Sequence, residues 1–396
     1  INGSGFKDNR ARAIPVTDER PGLVLNGDGG AILVGIADVS VTDSEFSGNH
    51  AGGSGGAVYS IAANMRLGNS RLHDNTARDS GGAIFVDQQS SVGVNHSGLS
   101  NNSAGRRGGA IAVQGAKLAV NGTSFSGNSA EGAGGAIAAR RARVHVNESK
   151  FGENNSGRAG GAVAATADSN VDLVFASMAS NVSQGNGGAV AATDGANVNV
   201  TGGTYSRNGS RGNGGAISVS NGASATVSGA TLTGNGAVNG GAIAADDARV
   251  TVDRSTMNQN LAAGNGGAIS ASDSQVGVTA SLVVNNHTSG NGGAVALRGS
   301  QFYTKASVYG ANTARGDGGA IYASDSLAAI DGAFFIRNAA AGNGGAIAAK
   351  DSTLGVINSI FDGNSATSGN AIHAQGSAVI LNGNYFGPGQ DIVLLP

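Results

Sequence analysis

Proton transfer, metal binding and nucleophilic attack need histidine, carboxylate, lysine or cysteine side chains gathered at one place. The chain has no cysteine, so disulfides, thiolate metal sites and cysteine nucleophiles are excluded. Its six histidines, His50, His73, His96, His145, His287 and His373, fall at different phases of a repeat and form no ligand set. Five aspartates do share a phase: Asp194, Asp247, Asp273, Asp325 and Asp351 each lie seven residues after the first glycine of a Gly-Gly-Ala word. Stacked carboxylates are able to chelate a cation. Here Asn221 and Gly299 interrupt the column, and Asp, Asn and Gly share a preference for tight turns, so a turn accounts for it without a metal. No metal and no cofactor is expected.

Enzymes that cleave or modify polysaccharides on a repetitive β scaffold need clustered acids and bases on one outward strand face. The outward position beside the Ile or Val of each Gly-Gly-Ala word reads Ala112, Ala138, Ala164, Ala191, Ser218, Ala244, Ser270 and Ala296. That face offers no proton donor or acceptor of useful pKa. The arginines Arg78, Arg106, Arg107, Arg158, Arg211 and Arg315 look dispersed and solvated.

The elements behind these positions are set by a period. Gly-Gly-Ala followed by Ile or Val occurs thirteen times, from Gly29 to Gly344, with a degraded copy at Gly369-Asn370-Ala371-Ile372 and steps of 25 to 27 residues. A fixed period of this size marks a solenoid, in which each unit buries its apolar face against its neighbours. Three stretches per period alternate with period two, as strands do: the Gly-Gly-Ala word, a Val-x-Val stretch such as Val250/Val252, and a small residue, spacer, large apolar residue and Asn, as in Ser149-x-Phe151-x-x-Asn154. A leucine-rich repeat would need a Leu framework and one strand per repeat. The expected fold is therefore all-β: a single-domain, right-handed parallel β-helix of about 14 rungs with three short strands per rung. Its four prolines, Pro15, Pro21, Pro388 and Pro396, avoid the regular rungs, as residues unable to donate to a ladder should. Residues 1–28 are expected to form a partial rung and capping loop, 29–384 the repeats, and 385–396 a C-terminal cap.

Composition narrows the partners. With a formal net charge of −2 and pI near 6.3 the chain as a whole has no field to attract nucleic acid or an anionic membrane. No apolar run is long enough to insert in a bilayer. The chain opens Ile1-Asn2-Gly3 and is expected to be a mature or excised portion of something longer.

One column fills every rung: Asn49, Asn75, Asn102, Asn128, Asn154, Asn181, Asn208, Asn235, Asn260, Asn286, Asn312, Asn338 and Asn364. A recognition site has no reason to recur in every rung, whereas amides stacked about 4.8 Å apart satisfy one another and the turn backbone, so the column is read as a structural ladder. The candidate binding residues are Leu33, Tyr59 and Phe85, which take the same outward position in three successive rungs and should stack into an apolar stripe. Tyr322 and His373 share that phase. The competing expectation is that the segment from Arg10 to Asp28 folds Ile14, Val16 and Leu23 over the stripe as a cap.

The pairing of Phe125-Ser126-Gly127-Asn128 with Gly134-Gly135-Ala136-Ile137 resembles the repeats of the polymorphic outer-membrane protein family, and similar pairings run through nearly the whole chain. The resemblance implies an exported β-helical passenger at the bacterial cell surface, serving adhesion. The expected function is thus non-enzymatic: a long regular extracellular surface for a protein or glycan partner. The alternatives are a self-associating subunit of a fibre or surface layer and a polysaccharide-binding or polysaccharide-modifying β-helix.

Overall fold

A computed structural model describes residues 1–12 and 27–396. The described residues contain strands and turns and no helix. They form two compact units, the first comprising Ile1–Gly185, Ala189–Ala191 and Gly195–Asn199, the second Asn186–Gly188, Ala192–Asp194 and Val200–Pro396. Each is a parallel β-solenoid. A turn of the first unit runs Ile111–Gln114, Lys117–Asn121, Ser124–Ser126 and Ser129–Ala130; one of the second runs Ile243–Asp246, Arg249–Asp253, Thr256–Asn258 and Leu261–Ala262. The turn therefore carries four strands, one more than the three expected. The extra strand has two residues and follows the ladder asparagine, too short for alternation to show in a sequence.

Equivalent residues pair one turn on. In the first unit Ile111, Leu118, Phe125 and Ala130 face Ile137, Val144, Phe151 and Ser156; in the second Ile243, Val250, Met257 and Ala262 face Ile269, Val276, Val283 and Thr288. Like therefore stacks on like. The Phe125 and Phe151 rings lie 4.6 Å apart and nearly parallel, and Tyr309, Phe335, Phe361 and Phe386 stack at 5.2, 4.9 and 5.0 Å. These distances follow the strand spacing of a β-ladder, so a column of one large residue per turn fills the narrow core.

The two glycines of the word do different work. Gly240 has φ +62°, and a Cβ there would strike the Ile243 carbonyl oxygen. Gly241 has no such φ, but a Cβ would run into the Gly267 carbonyl of the next turn. The first glycine thus serves a left-handed turn and the second a close approach of backbones. At the other corners one residue per turn is left-handed, for example Asp247, Arg254 and Gln259 at φ 47°, 44° and 55°. All five aspartates of the acidic column sit at the first of these corners, as do Asn221 and Gly299. Backbone conformation unites the column. In the turns beginning at Gly160 and Gly214 that corner holds two left-handed residues, Ala167 with Asp168 and Asn221 with Gly222, so the residue added there leaves strand register intact.

The asparagine ladder binds the turns together from inside. In the second unit Asn260 Oδ1 accepts from the backbone N and the Nδ2 of Asn235, at 3.0 Å each. Its Nδ2 donates to the Leu232 carbonyl at 3.0 Å and to Asn286 Oδ1 at 2.9 Å. The same pattern recurs in the first unit at Asn75, Asn102, Asn128 and Asn154. The ladder extends at both ends: Asn9, which closes the Ser4-x-Phe6-x-x-Asn9 stretch of a partial first rung, donates to Asn49, and Gln390 Oε1, which no repeat pattern marks, stands where the next asparagine oxygen would, accepting from Asn364 Nδ2 at 2.9 Å. The last strand, Ile392–Leu395, pairs with Ile372–Gln375. Pro15, Pro21 and the cap expected from Ile14, Val16 and Leu23 lie outside the described residues.

Candidate functional site

The outward face of the Gly-Gly-Ala sheet is recessed into a groove in each unit. Its floor in the first unit is formed by Phe85, Ala112, Ala138 and Ala164, which are successive partners in register. One wall is Ser80, Arg107 and Ala133, each immediately before a Gly-Gly word; the other is Gln114, Arg140 and Thr166, at the strand ends. The alanines are outward by alternation yet only 2–6 % exposed. The walls on either side thus cover this face, a fact that strand periodicity cannot express.

Leu33, Tyr59 and Phe85 do share one column, paired in register, and the Tyr59 and Phe85 rings stack at 5.2 Å. Their exposure falls along the column, from 63 % at Leu33 to 9 % at Phe85. The column is therefore an exposed patch only at Leu33, with Ile36 and Ile61 exposed nearby in sequence. Tyr59 is half-buried and its hydroxyl donates to Asp87 Oδ2 at 2.8 Å. Burial, then that bond and the carboxylates of Asp87 and Asp28, hold its phenol far above the usual tyrosine range. Burial likewise raises Asp28, against the hydrogen bond it accepts from the Ser54 backbone N.

Further along the first unit the charge reverses. Burial lowers the Arg107 guanidinium from its ordinary value, and the positive charges of Arg140, Arg106 and Arg158 lower it further. Arginines that look dispersed along the chain are thus neighbours: Arg106 and Arg158 occupy the same phase two turns apart, and Arg140 faces Arg107 across the groove. Beyond Arg140 the corner opens into a second concavity of about 670 Å³, lined among others by Lys117, Arg141, Arg143 and Asp168. Ion pairs among the described residues involve His73 with Glu45 and Asp74, Arg254 with Asp253, and Lys305 with Asp331. None includes these arginines.

The second unit's groove is polar and roomier. Its floor is Ser218, Ala244, Ser270, Ala296 and Tyr322, paired in sequence, and two hollows of about 400 and 210 Å³ lie along it. One wall carries a second asparagine ladder, in the position before Gly-Gly. The backbone N of Asn265 donates to Asn239 Oδ1, that of Asn291 to Asn265 Oδ1 and that of Asp317 to Asn291 Oδ1, at 2.8–2.9 Å. Among the described residues the Nδ2 groups of Asn265 and Asn291 meet no protein acceptor. The other wall has Asp246, Ser272, Arg298 and Ser324, with Arg298 Nη2 donating to Ser272 Oγ at 3.3 Å. Burial, with Asp317 nearby, raises the Tyr322 phenol. This second ladder was missed in the sequence although Asn186, Asn213, Asn239, Asn265, Asn291 and Asn343 stand in one phase.

Chemically, both grooves offer hydrogen-bond donors, hydroxyls and guanidinium groups, a set suited to recognition. Their lining residues include no histidine, lysine or glutamate. Among the described residues no three His, Cys, Asp or Glu side chains gather as metal ligands, and no helix is long and apolar enough to cross a membrane.

Residues 43–61, 122–140 and 254–272 match the Chlamydia polymorphic membrane protein repeat. The chain thus carries recognisable copies of that repeat at three places, within turns that have the same strand order as the rest. A crystal structure of the periplasmic alginate epimerase AlgG aligns over 78 % of this chain and 78 % of its own, with a TM-score of 0.49 and 13 % identity. No curated protein matches the chain in sequence.

Proposed function

We propose that this is an exported, non-enzymatic β-solenoid whose outer grooves serve as an adhesive contact surface at the bacterial envelope. The observation that carries the reading is the groove chemistry: among the described residues, outward donors such as the Nδ2 groups of Asn265 and Asn291 and the guanidinium of Arg107 have no protein acceptor, and no histidine, lysine or glutamate lines the grooves. Donors left open on a rigid face serve binding, because the groups need no rearrangement to meet a ligand. The matches to a membrane-protein repeat support export.

Beads coated with the purified chain should adhere to cells or to an extracellular matrix, and soluble chain should compete them off. Absence of adhesion at saturating coating density would sink the proposal. Release of shortened or unsaturated sugars from a panel of polysaccharides would replace it with an enzymatic one, and filaments in electron micrographs would favour self-assembly.

A further inference from the structure

The first unit holds a concentration of positive charge that its fold does not use. Arg107 and Arg140 stand on opposite walls of one groove, both half-buried. Arg106 and Arg158 flank them closely enough to perturb Arg107. Around the next corner Lys117, Arg141 and Arg143 line the adjoining concavity, where Asp168 is the sole carboxylate. None of these cations forms an ion pair among the described residues. Like charges held together without ion-pair partners destabilise a fold, and the arginine forks match oxyanions in geometry. An anion is the partner that both facts call for.

We propose that this basic groove of the first unit binds a linear acidic glycan, with Arg107 and Arg140 gripping its carboxylate or sulfate groups and Lys117, Arg141, Arg143 and Arg158 extending the contact. This rests on the adhesive reading and names the ligand class for one of its surfaces. The shape argues for an extended chain: above the nearly buried Ala112, Ala138 and Ala164 the two walls run straight, rising about 4.8 Å per turn, so a ligand would lie along their rims and not on the floor. The walls supply Ser80, Gln114 and Thr166, whose hydroxyl and amide groups suit sugar hydroxyls. A nucleic acid fits less well. The floor is narrow and its alanines are nearly buried, with no exposed aromatic row for bases to stack on. The lowered guanidinium of Arg107 adds that bound anions would relieve an existing repulsion.

The test is titration of the purified full chain with two labelled probes, a heparin-derived oligosaccharide for sulfate and an oligogalacturonate for carboxylate. A neutral dextran oligosaccharide and a single-stranded DNA of matched charge serve as controls. At least one acidic glycan should bind, more weakly as salt rises, while dextran does not. The double variant Arg107→Gln/Arg140→Gln should lose at least tenfold in affinity; Arg315→Gln, in the second unit, should lose nothing. Should the groove variant fail to fold, Arg141→Gln/Arg143→Gln, at exposed positions, should lose at least threefold. Absence of binding to both acidic glycans, unchanged affinity in the folded double variants, or DNA binding as tight as the glycan would each overturn the inference. A chain that adheres to cells but ignores acidic glycans refutes only this assignment; one that binds glycan yet never adheres refutes only the adhesive function.

Discussion

Replacing Asn260 by leucine tests the inner ladder directly, because the side chain is 1 % exposed and of similar size to its replacement. Four hydrogen bonds vanish: those its Oδ1 accepts from the Asn235 backbone N and Nδ2, and those its Nδ2 gives to the Leu232 carbonyl and to Asn286 Oδ1. The losses are unequal. Asn235 Nδ2 keeps the Tyr205 carbonyl, and Asn286 Oδ1 keeps the backbone N of residue 260. The Asn235 backbone N–H is left buried without an acceptor, at a cost of about 1–3 kcal/mol, and the other lost bonds cost about 0.5–1.5 kcal/mol each. Leucine's apolar burial returns part of this, so a net loss of about 3 kcal/mol is expected. In a solenoid, stability is a sum over turns and their interfaces, so the damage should stay near the substituted turn. Amide hydrogen exchange measures it: the protected amides of turns 232–286 should exchange roughly a hundredfold faster, at about 1.4 kcal/mol per decade, while those near Asn102 in the first unit stay unchanged. Asn265→Leu, in the outer ladder where the side chain is exposed, should cost less than about 1 kcal/mol. Equal effects at the two asparagines, or no change at residue 260, would refute the claim that burial gives the inner ladder its weight.

Gly241→Ala should cost more than about 3 kcal/mol, since its Cβ meets the Gly267 backbone, whereas Gly277→Ala, with nothing within 4 Å of the added methyl, should be neutral or stabilise by about 0.4–1 kcal/mol; denaturant titration separates them. Tyr205 is fully buried and its hydroxyl has no partner, whereas Tyr309 gives its proton to Thr304 Oγ1 at 2.9 Å. Tyr205→Phe should therefore stabilise by about 1–3 kcal/mol and Tyr309→Phe should not, measured by thermal unfolding. His73 contacts Asp74 Oδ2 at 2.7 Å and Glu45 Oε1 at 2.8 Å, and these bonds raise its pKa while the bond to His73 lowers that of Glu45. The histidine's contribution is complete below its ordinary value near 6.5 and fades as pH climbs through the raised one; the Glu45 contribution fades as pH falls through the lowered one. An NMR titration should place His73 above 6.5, and His73→Gln should flatten stability between about pH 6 and 8. Phe85→Ser should cost about 3 kcal/mol, and Leu33→Ser under about 1 kcal/mol because it is exposed; equal costs would mean that Leu33 is covered.

Sequence alone discloses what recurs with every turn. The inward columns such as Ile243, Val250 and Met257, the ladder asparagines and the glycine words each repeat at fixed phase, and the structure stacks each upon its like. The two-residue strand such as Leu261–Ala262 stayed hidden because two residues cannot show a period. The recessed groove stayed hidden for another reason. Whether an outward alanine such as Ala138 is exposed depends on the turn rising beside it, and alternation speaks only of the strand's own two faces. The arginine cluster needed both turn register and the groove's width: Arg107 precedes one Gly-Gly word and Arg140 follows the next by six residues, so no single phase contains both.

The same geometry says where function is able to reside. Positions with a backbone duty have little freedom: Gly241 must lack a Cβ, Asn260 must be an amide, and Met257 must be large and apolar. The position before Gly-Gly has no such duty in the first unit, where it is Ser80, Arg107 and Ala133 in successive turns, and neither does the strand-end position occupied by Gln114, Arg140 and Thr166. Since each turn's stability depends chiefly on its neighbours, charges at these two positions leave the scaffold nearly intact while changing what the groove attracts. A contact surface built this way is written in the departures from the repeat, which is why the arginines of one unit and the open amides of the other, and not the columns shared by all turns, mark the faces where partners are to be sought.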